Sequence, residues 1–377
     1  MKKLIAFLLM SLLIIFMPQT VFADTENEAY EKIISEINEG LDAAADDDVK
    51  DVLQENDLSV DNPSAINEIK AENIIERLYG YFTDALKKPL VMLGKIIAVT
   101  LICVLIKNIS PDSGSMSKTF GIIGILTTIT VISDAVSENI YSLKDSLERI
   151  NDFMVSYIPV FSSVAAAGGS AASGGSYYAV MLLICEAAAV IADKVLIPFL
   201  SAVMAITLVS AVNPNLQFAG IAESVKKLVT WILGIVMTLF VGLMSIQSFA
   251  GTAADSLASR AVKFAASSFI PVIGGSVSEA YSTVKGSLGV IRTSVGTIGI
   301  IMLVIIISKP LISVLAVKFT VWIGRIINDI FGMKECSEFL KSINAVMSIG
   351  LSIVIAYSIV FVISTSVVMM TAMNAGV

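Results

Sequence analysis

From Pro89 onward the chain alternates long apolar runs with short polar clusters. Most of the runs approach the roughly 20 residues that a helix needs to cross a hydrocarbon core. They lie near 89–107, 119–137, 176–193, 196–213, 228–250, 290–308, 310–327 and 343–370. The pattern predicts an all-α polytopic membrane protein with eight transmembrane helices. The pairs that meet at Lys194 and Lys309 are so tight that each also reads as one long, broken helix. Residues 24–88 follow another rule. Ile33, Ile34, Ile37 and Leu41, then Ile66, Ile69, Ile74, Ile75 and Leu78, recur at helical spacing among charged residues. Asn62-Pro63-Ser64 marks a break and a helix start between the two rows. Before them come Met1-Lys2-Lys3, an apolar stretch from Leu4 to Met17, Pro18, and Val21-Phe22-Ala23. This is the layout of a secretory signal, either cleaved after Ala23 or retained as an anchor, and both forms place Asp24 outside the cytoplasm. The expected organisation is a signal peptide (1–23), an acidic, helical, extracytoplasmic segment (24–88) and a multispan membrane domain (89–377).

Charge sharpens this division. Only 15% of the 377 residues are charged and 56% are hydrophobic, whereas soluble domains carry roughly 25% charge. Residues 24–88 hold 18 acidic against 6 basic side chains, a net of −12. The remainder from Pro89 holds 14 against 17, a net of +3. The acidic segment reads equally as a docking element for another extracytoplasmic protein and as a solvated spacer. No basic patch with interleaved aromatics supports nucleic-acid binding. With eight spans and Asp24 outside, ten Lys/Arg after Lys88 fall in inner loops, Lys107, Arg260, Lys285, Arg325 and Lys334 among them, and five in outer loops. That is the positive-inside bias.

An internal repeat adds a second layer. Ser156-Tyr157-Ile158-Pro159-Val160 returns as Ser268-Phe269-Ile270-Pro271-Val272, 112 residues later, and Pro198 and Pro310 keep the same offset. Three predicted spans per period make consecutive copies insert in opposite senses, the inverted repeat of many transporters, with the first segment outside and the second inside. Both segments run into small residues, including Gly168-Gly169 and Gly274-Gly275. Proline interrupts a helical ladder, and glycine permits turns and close approach. The expectation is a pair of hairpins, re-entrant or interfacial, one from each membrane face.

Histidine is absent, which removes His triads and HExxH sites. Cys103, Cys185 and Cys336 have no metal or disulfide spacing and read as buried thiols. No enzyme constellation and no cofactor motif is found. Glu186, near the middle of the third predicted span, is the intramembrane polar residue to examine, either as a functional carboxyl or as a structural hydrogen-bonding one.

The stretch from Phe264 through Ser268-Phe269-Ile270-Pro271-Val272-Ile273-Gly274-Gly275 to Glu279-Ala280-Tyr281, followed by Val295-Gly296-Thr297-Ile298-Gly299, resembles the stage III sporulation protein AE family. Ile158-Pro159-Val160 and its small-residue run resemble the family's companion motif. The resemblance implies a non-enzymatic component of a channel or secretion-like complex in the mother-cell membrane around a forespore. It also implies an ATPase and extracytoplasmic ring proteins as partners. On this reading Pro159, Gly168, Gly169, Pro271, Gly274, Gly275 and Glu279 are the candidate passage residues. A stand-alone secondary transporter using Glu186, and a membrane scaffold without a passage, are the rival readings.

Overall fold

The computed structural model describes residues 20–56, 58–59, 71–109, 114–212, 220–269 and 274–374. Within them the fold is helical throughout. Two short N-terminal helices, α1 (Thr20–Ala44) and α2 (Asp47–Glu55), precede α3 (Ala71–Ile109), α4 (Gly114–Ala167) and α5 (Ala171–Val190). A π-helical turn, Ile191–Leu196, joins α5 to α6 (Ile197–Val212). Then come α7 (Ile221–Phe269), α8 (Gly274–Ile330) and α9 (Lys334–Asn374). The signal-like stretch up to Gln19, the Asn62-Pro63-Ser64 break and Pro271 lie outside the described residues.

Six of the described helices, α3, α4, α5, α7, α8 and α9, are long and apolar enough to cross a membrane, where the sequence predicts eight. The difference lies at the two tight pairs. The runs at 290–308 and 310–327 form one helix, α8, with Pro310 inside it. A proline in a helix interior costs about 3 kcal/mol. Here Ile306, Val314 and Val317 are buried on either side of it, so packing holds the helix across the break. The runs at 176–193 and 196–213 follow one another through the π turn. The wider turn ends two residues before Pro198, where the ring would otherwise press on the carbonyl four residues back. Helix α6 has 16 residues, roughly 24 Å, and is short for a core of about 30 Å.

The described structure gives the inverted arrangement no support. Ile158-Pro159-Val160 lies within α4, and the chain then descends through α5 and α6 and returns along α7. That is one descent and one return where the sequence predicts three crossings. The α4–α5 turn packs on Lys285 and Leu288 of α8, and the start of α5 bonds Asp255 of α7. The end of α7 and the start of α8 therefore share that end of the bundle with the α4–α5 turn. The charge partition fails with the repeat. Lys107, Arg325 and Lys334 stand toward the end holding the α3–α4 and α8–α9 junctions, while Arg260, Lys263 and Lys285 stand toward the other.

Glycines let the helices approach. An added Cβ at Gly350 of α9 would lie 2.5 Å from Leu143 of α4, and one at Gly40 of α1 would lie 2.5 Å from Val160. Thr100 of α3 donates to Asn328 of α8 at 3.2 Å, and Tyr357 of α9 donates to Asn151 of α4 at 2.8 Å. Small residues and interhelical hydrogen bonds are the usual means of joining helices where no water drives them together. The described parts of the acidic segment, up to 56 and from 71, are helical, whereas Ile66 and Ile69 lie outside the described residues, and α1 and α2 pack on the bundle. Ile34, Ile37, Leu41 and Ala44 of α1 and Val49 of α2 join the main core. Asp46 caps α2 by accepting from Val49 N at 2.9 Å. Around this corner Asp46 pairs with Arg149, Asp48 with Lys309 at 3.6 Å, and Asp51 with Arg77 at 3.6 Å. These pairs are partly exposed and individually weak. The apolar row holds the segment, and the ion pairs fix its register on α3, α4 and α8.

Candidate functional site at the α4–α5 turn

Helix α4 ends because Gly169 takes φ +74°, a conformation that side chains disfavour. Gly169 N donates to Ala166 O at 3.0 Å and Ser170 N to Ala165 O at 2.9 Å, a Schellman closure that reverses the chain within three residues. The following helix starts on Ala171, and its free N–H groups need partners. A neighbouring helix provides them. Asp255 of α7, only 5% exposed, accepts from Ala172 N at 2.8 Å, Ser173 N at 3.1 Å and Ser173 Oγ at 2.7 Å. The approach depends on Gly251, one turn earlier on α7, where a Cβ would fall 2.9 Å from Ser173 Oγ.

Two cations of α8 complete the cluster. The Lys285 stem covers Gly169, and Arg292, two turns further on, is 1% exposed. Asp255 acts electrostatically on both. Lys285 Nζ, Arg292 Nε and Arg292 Nη1 have no hydrogen-bond partner within the described structure. One carboxylate thus lies within electrostatic reach of two cations without a direct ion pair to either, and Asp255 and Arg292 are themselves buried, an arrangement that is costly unless the geometry is kept. Its chemistry is electrostatic, and it ties α5, α7 and α8 together at one end of the bundle.

Below the turn a second constellation supports it. Phe153, Tyr157 and Phe161 stack along α4 with ring centroids 5.4 and 5.7 Å apart. Phe361 of α9 meets the first two edge-on, and Tyr177 of α5 meets Phe161 at 5.2 Å. Tyr157 lies flat on Gly299 and donates to Val295 O at 3.0 Å. Tyr177 Oη and Thr365 Oγ1 are 3.2 Å apart. Tyr157, which directly precedes Ile158-Pro159-Val160, therefore joins that stretch of α4 to the Val295–Gly299 motif of α8.

The expected residues fare unequally. Gly168 and Gly169 form the turn between the long helices α4 and α5, where the sequence predicts a re-entrant or interfacial hairpin, and Gly174 of α5 packs so closely on α4 that a Cβ would meet Ser162 O at 3.0 Å. Pro159 is on the exposed side of α4. Gly274 and Gly275 open α8, and Glu279 is exposed on its second turn. Glu186 is exposed on α5, remote in sequence from the cluster at that helix's start. Sequence reasoning passed over Asp255, Lys285 and Arg292. Their signal was available as facing pairs, Asp255 and Ser259 four apart on α7 and Lys285 and Arg292 seven apart on α8. Gly169→Ala should destabilise the chain by about 1–2 kcal/mol through its positive φ, and Gly169→Asn by less. Chemical unfolding in micelles measures both, and equal losses for the two variants would count against the turn geometry.

A model of the family described as stage III sporulation protein AE matches residues 59–372. The chain belongs to that family. Stage III sporulation protein AE of Bacillus subtilis (strain 168) is 23% identical over 249 residues, which cover 65% of this chain and 62% of that protein. The alignment thus spans less than two thirds of the relative's length. No solved structure matches the chain. Every residue of the polar cluster and of the aromatic stack lies inside the family match, whereas α1 and α2 precede it. The family's sporulation role and the six apolar helices give the coarse assignment: a sporulation protein of helical membrane type.

Proposed function

We propose that this chain is a non-enzymatic, multi-pass membrane component of a channel or secretion-like complex between mother cell and forespore, needed for forespore development after engulfment. Family membership carries the reading. The proposed location is the mother-cell membrane surrounding the forespore, with the N-terminal segment extracytoplasmic. An ATPase and extracytoplasmic ring proteins are the proposed partners. The packing bears on the mechanism. Tyr157, Phe161 and Phe361 are fully buried and Tyr177 is 1% exposed, so side chains fill the middle of the bundle. A passage would therefore run between chains, along outward faces such as that of α7, where Trp231, Leu239, Ile246 and Phe249 are 65–81% exposed. Glu186 on the outer side of α5 gives little support to ion coupling by a single chain.

Affinity capture of the full chain from engulfing cells should recover an ATPase and extracytoplasmic proteins. A deletion strain should stop after engulfment, and Glu186→Gln should restore spore yield to the parental level. Ion-coupled solute uptake by the purified chain alone, abolished by Glu186→Gln, would overturn the proposal in favour of a transporter.

A further inference from the structure

A groove far from the polar cluster has the chemistry of a lipid site. It lies between α3 and α8, has a volume of about 540 Å³, and is walled by Phe82 and Leu86 on one side and Leu315, Phe319 and Trp322 on the other. This falls within the roughly 300–1,000 Å³ of small-molecule sites. The walls open outward, since Phe82, Leu315, Phe319 and Trp322 are 44–55% exposed. The Phe319 and Trp322 rings stack at 5.9 Å and form a flat apolar wall.

Two polar groups interrupt that wall. Lys318 stands within the apolar run 310–327, where a cation marks a functional site by default. Its Nζ donates to Ser348 Oγ on α9, and no ion pair to it occurs among the described residues. Lys226 and Glu223 of α7 stand within electrostatic reach of it, and two cations against one carboxylate leave a formal positive charge at the site. Asn344 of α9 also lines the groove, and its buried Oδ1 has no hydrogen-bond partner. Lys318 is level with the first turns of α7, where Glu223, Lys226 and Lys227 form a polar zone. Trp322, one turn along α8, is the residue type that gathers at membrane–water interfaces.

From these features we infer that the α3–α8 groove binds an anionic phospholipid, with an acyl chain along Phe82, Leu86, Phe319 and Trp322 and the phosphate on Lys318. The cation supplies the charge complement, the aromatic wall takes the chain, and the Asn344 amide is available to a headgroup hydroxyl. A zwitterionic lipid fills the same apolar walls but gains less from Lys318, because its own cation offsets its phosphate. The site thus selects by headgroup charge.

The chain has two tryptophans, which makes the test direct. In phosphatidylcholine vesicles, the full chain carrying Trp231→Phe reports from Trp322 alone. Brominated phosphatidylglycerol should quench that emission with about fivefold higher apparent affinity than brominated phosphatidylcholine, the worth of one basic residue against an anionic headgroup. Lys318→Gln should remove the preference and Lys318→Arg should keep it. The chain carrying Trp322→Phe reports from Trp231 on α7, and its quenching should ignore Lys318→Gln, which also certifies that the variant is folded. Equal quenching by the two lipids, or a preference that survives Lys318→Gln, would overturn the proposal. So would a Trp322 that neither lipid quenches, because a protein segment would then cover the groove.

Discussion

Asp255→Ala should cost the folded chain about 3–5 kcal/mol, the loss seen when one partner of a buried charge cluster is removed. Two penalties combine. The first turn of α5 loses the acceptor of Ala172 N, Ser173 N and Ser173 Oγ. Buried Arg292 and partly buried Lys285 are left without the carboxylate that acts on them. The same reasoning makes the damage reversible in part. Replacing Arg292 by methionine in the Asp255→Ala background removes one uncompensated charge while keeping much of the volume. The double variant should be more stable than Asp255→Ala alone. Asp255→Asn should fall between alanine and the parent, since an amide oxygen still accepts from α5 but carries no charge. Unfolding in micelles, followed by far-UV circular dichroism for the parent, Asp255→Ala, Arg292→Met and the double variant, gives the cycle. Strictly additive losses would show that Asp255 and Arg292 do not act as a unit.

Gly299→Ala is expected to cost about 3 kcal/mol, although it adds a single methyl group. The new Cβ would lie 2.3–2.5 Å from the Tyr157 ring and hydroxyl. That ring cannot retreat. It is fully buried, stacked between Phe153 and Phe161, and tied to Val295 O. The matching change three residues earlier is the internal control. A Cβ at Gly296 would meet Met369 Sδ at 2.4 Å and Cγ at 2.6 Å. A thioether chain with three rotatable bonds can move aside. Gly296→Ala should therefore cost only about 1 kcal/mol. Thermal unfolding of the two variants in one detergent decides the matter. Equal midpoints would mean that the aromatic stack yields as readily as the methionine.

Part of this was legible in advance. The period of Ile34, Ile37 and Leu41 predicts a helix with one inward face, and those three residues do enter the core. Gly168-Gly169 announces a chain reversal, because glycine accepts the positive φ that closes α4, and the reversal joins two long helices, so a re-entrant or interfacial placement does not follow from it. The Ile-Pro-Val and Val295–Gly299 motifs carried the family resemblance, and the family match contains both. Other readings failed for a common reason. Pro198 and Pro310 look like breaks because a proline's cost is a local property. Whether the helix nevertheless continues depends on what its neighbours bury, as Val314 and Val317 show beyond Pro310. Only the pair at 176–213 lies between the two Ile-Pro-Val segments, and with its two runs counted as one passage the end of α4 and the start of α8 share one end of the bundle.

The sequence by itself determined that this chain is helical and apolar enough to cross a membrane, that its N-terminal segment is acidic and amphipathic, and which family it resembles. Those properties are sums over neighbouring residues, so periodicity and composition contain them. Only the tertiary structure decided that six of the described helices can span and that α1 and α2 lie on the bundle. It alone brought Asp255 to Lys285 and Arg292, and Tyr157 to Gly299. Buried charges and close backbone contacts draw their energy from partners far away in the chain. Hydropathy assigns Arg292 the same value whether it stands in water or near a carboxylate on the preceding helix.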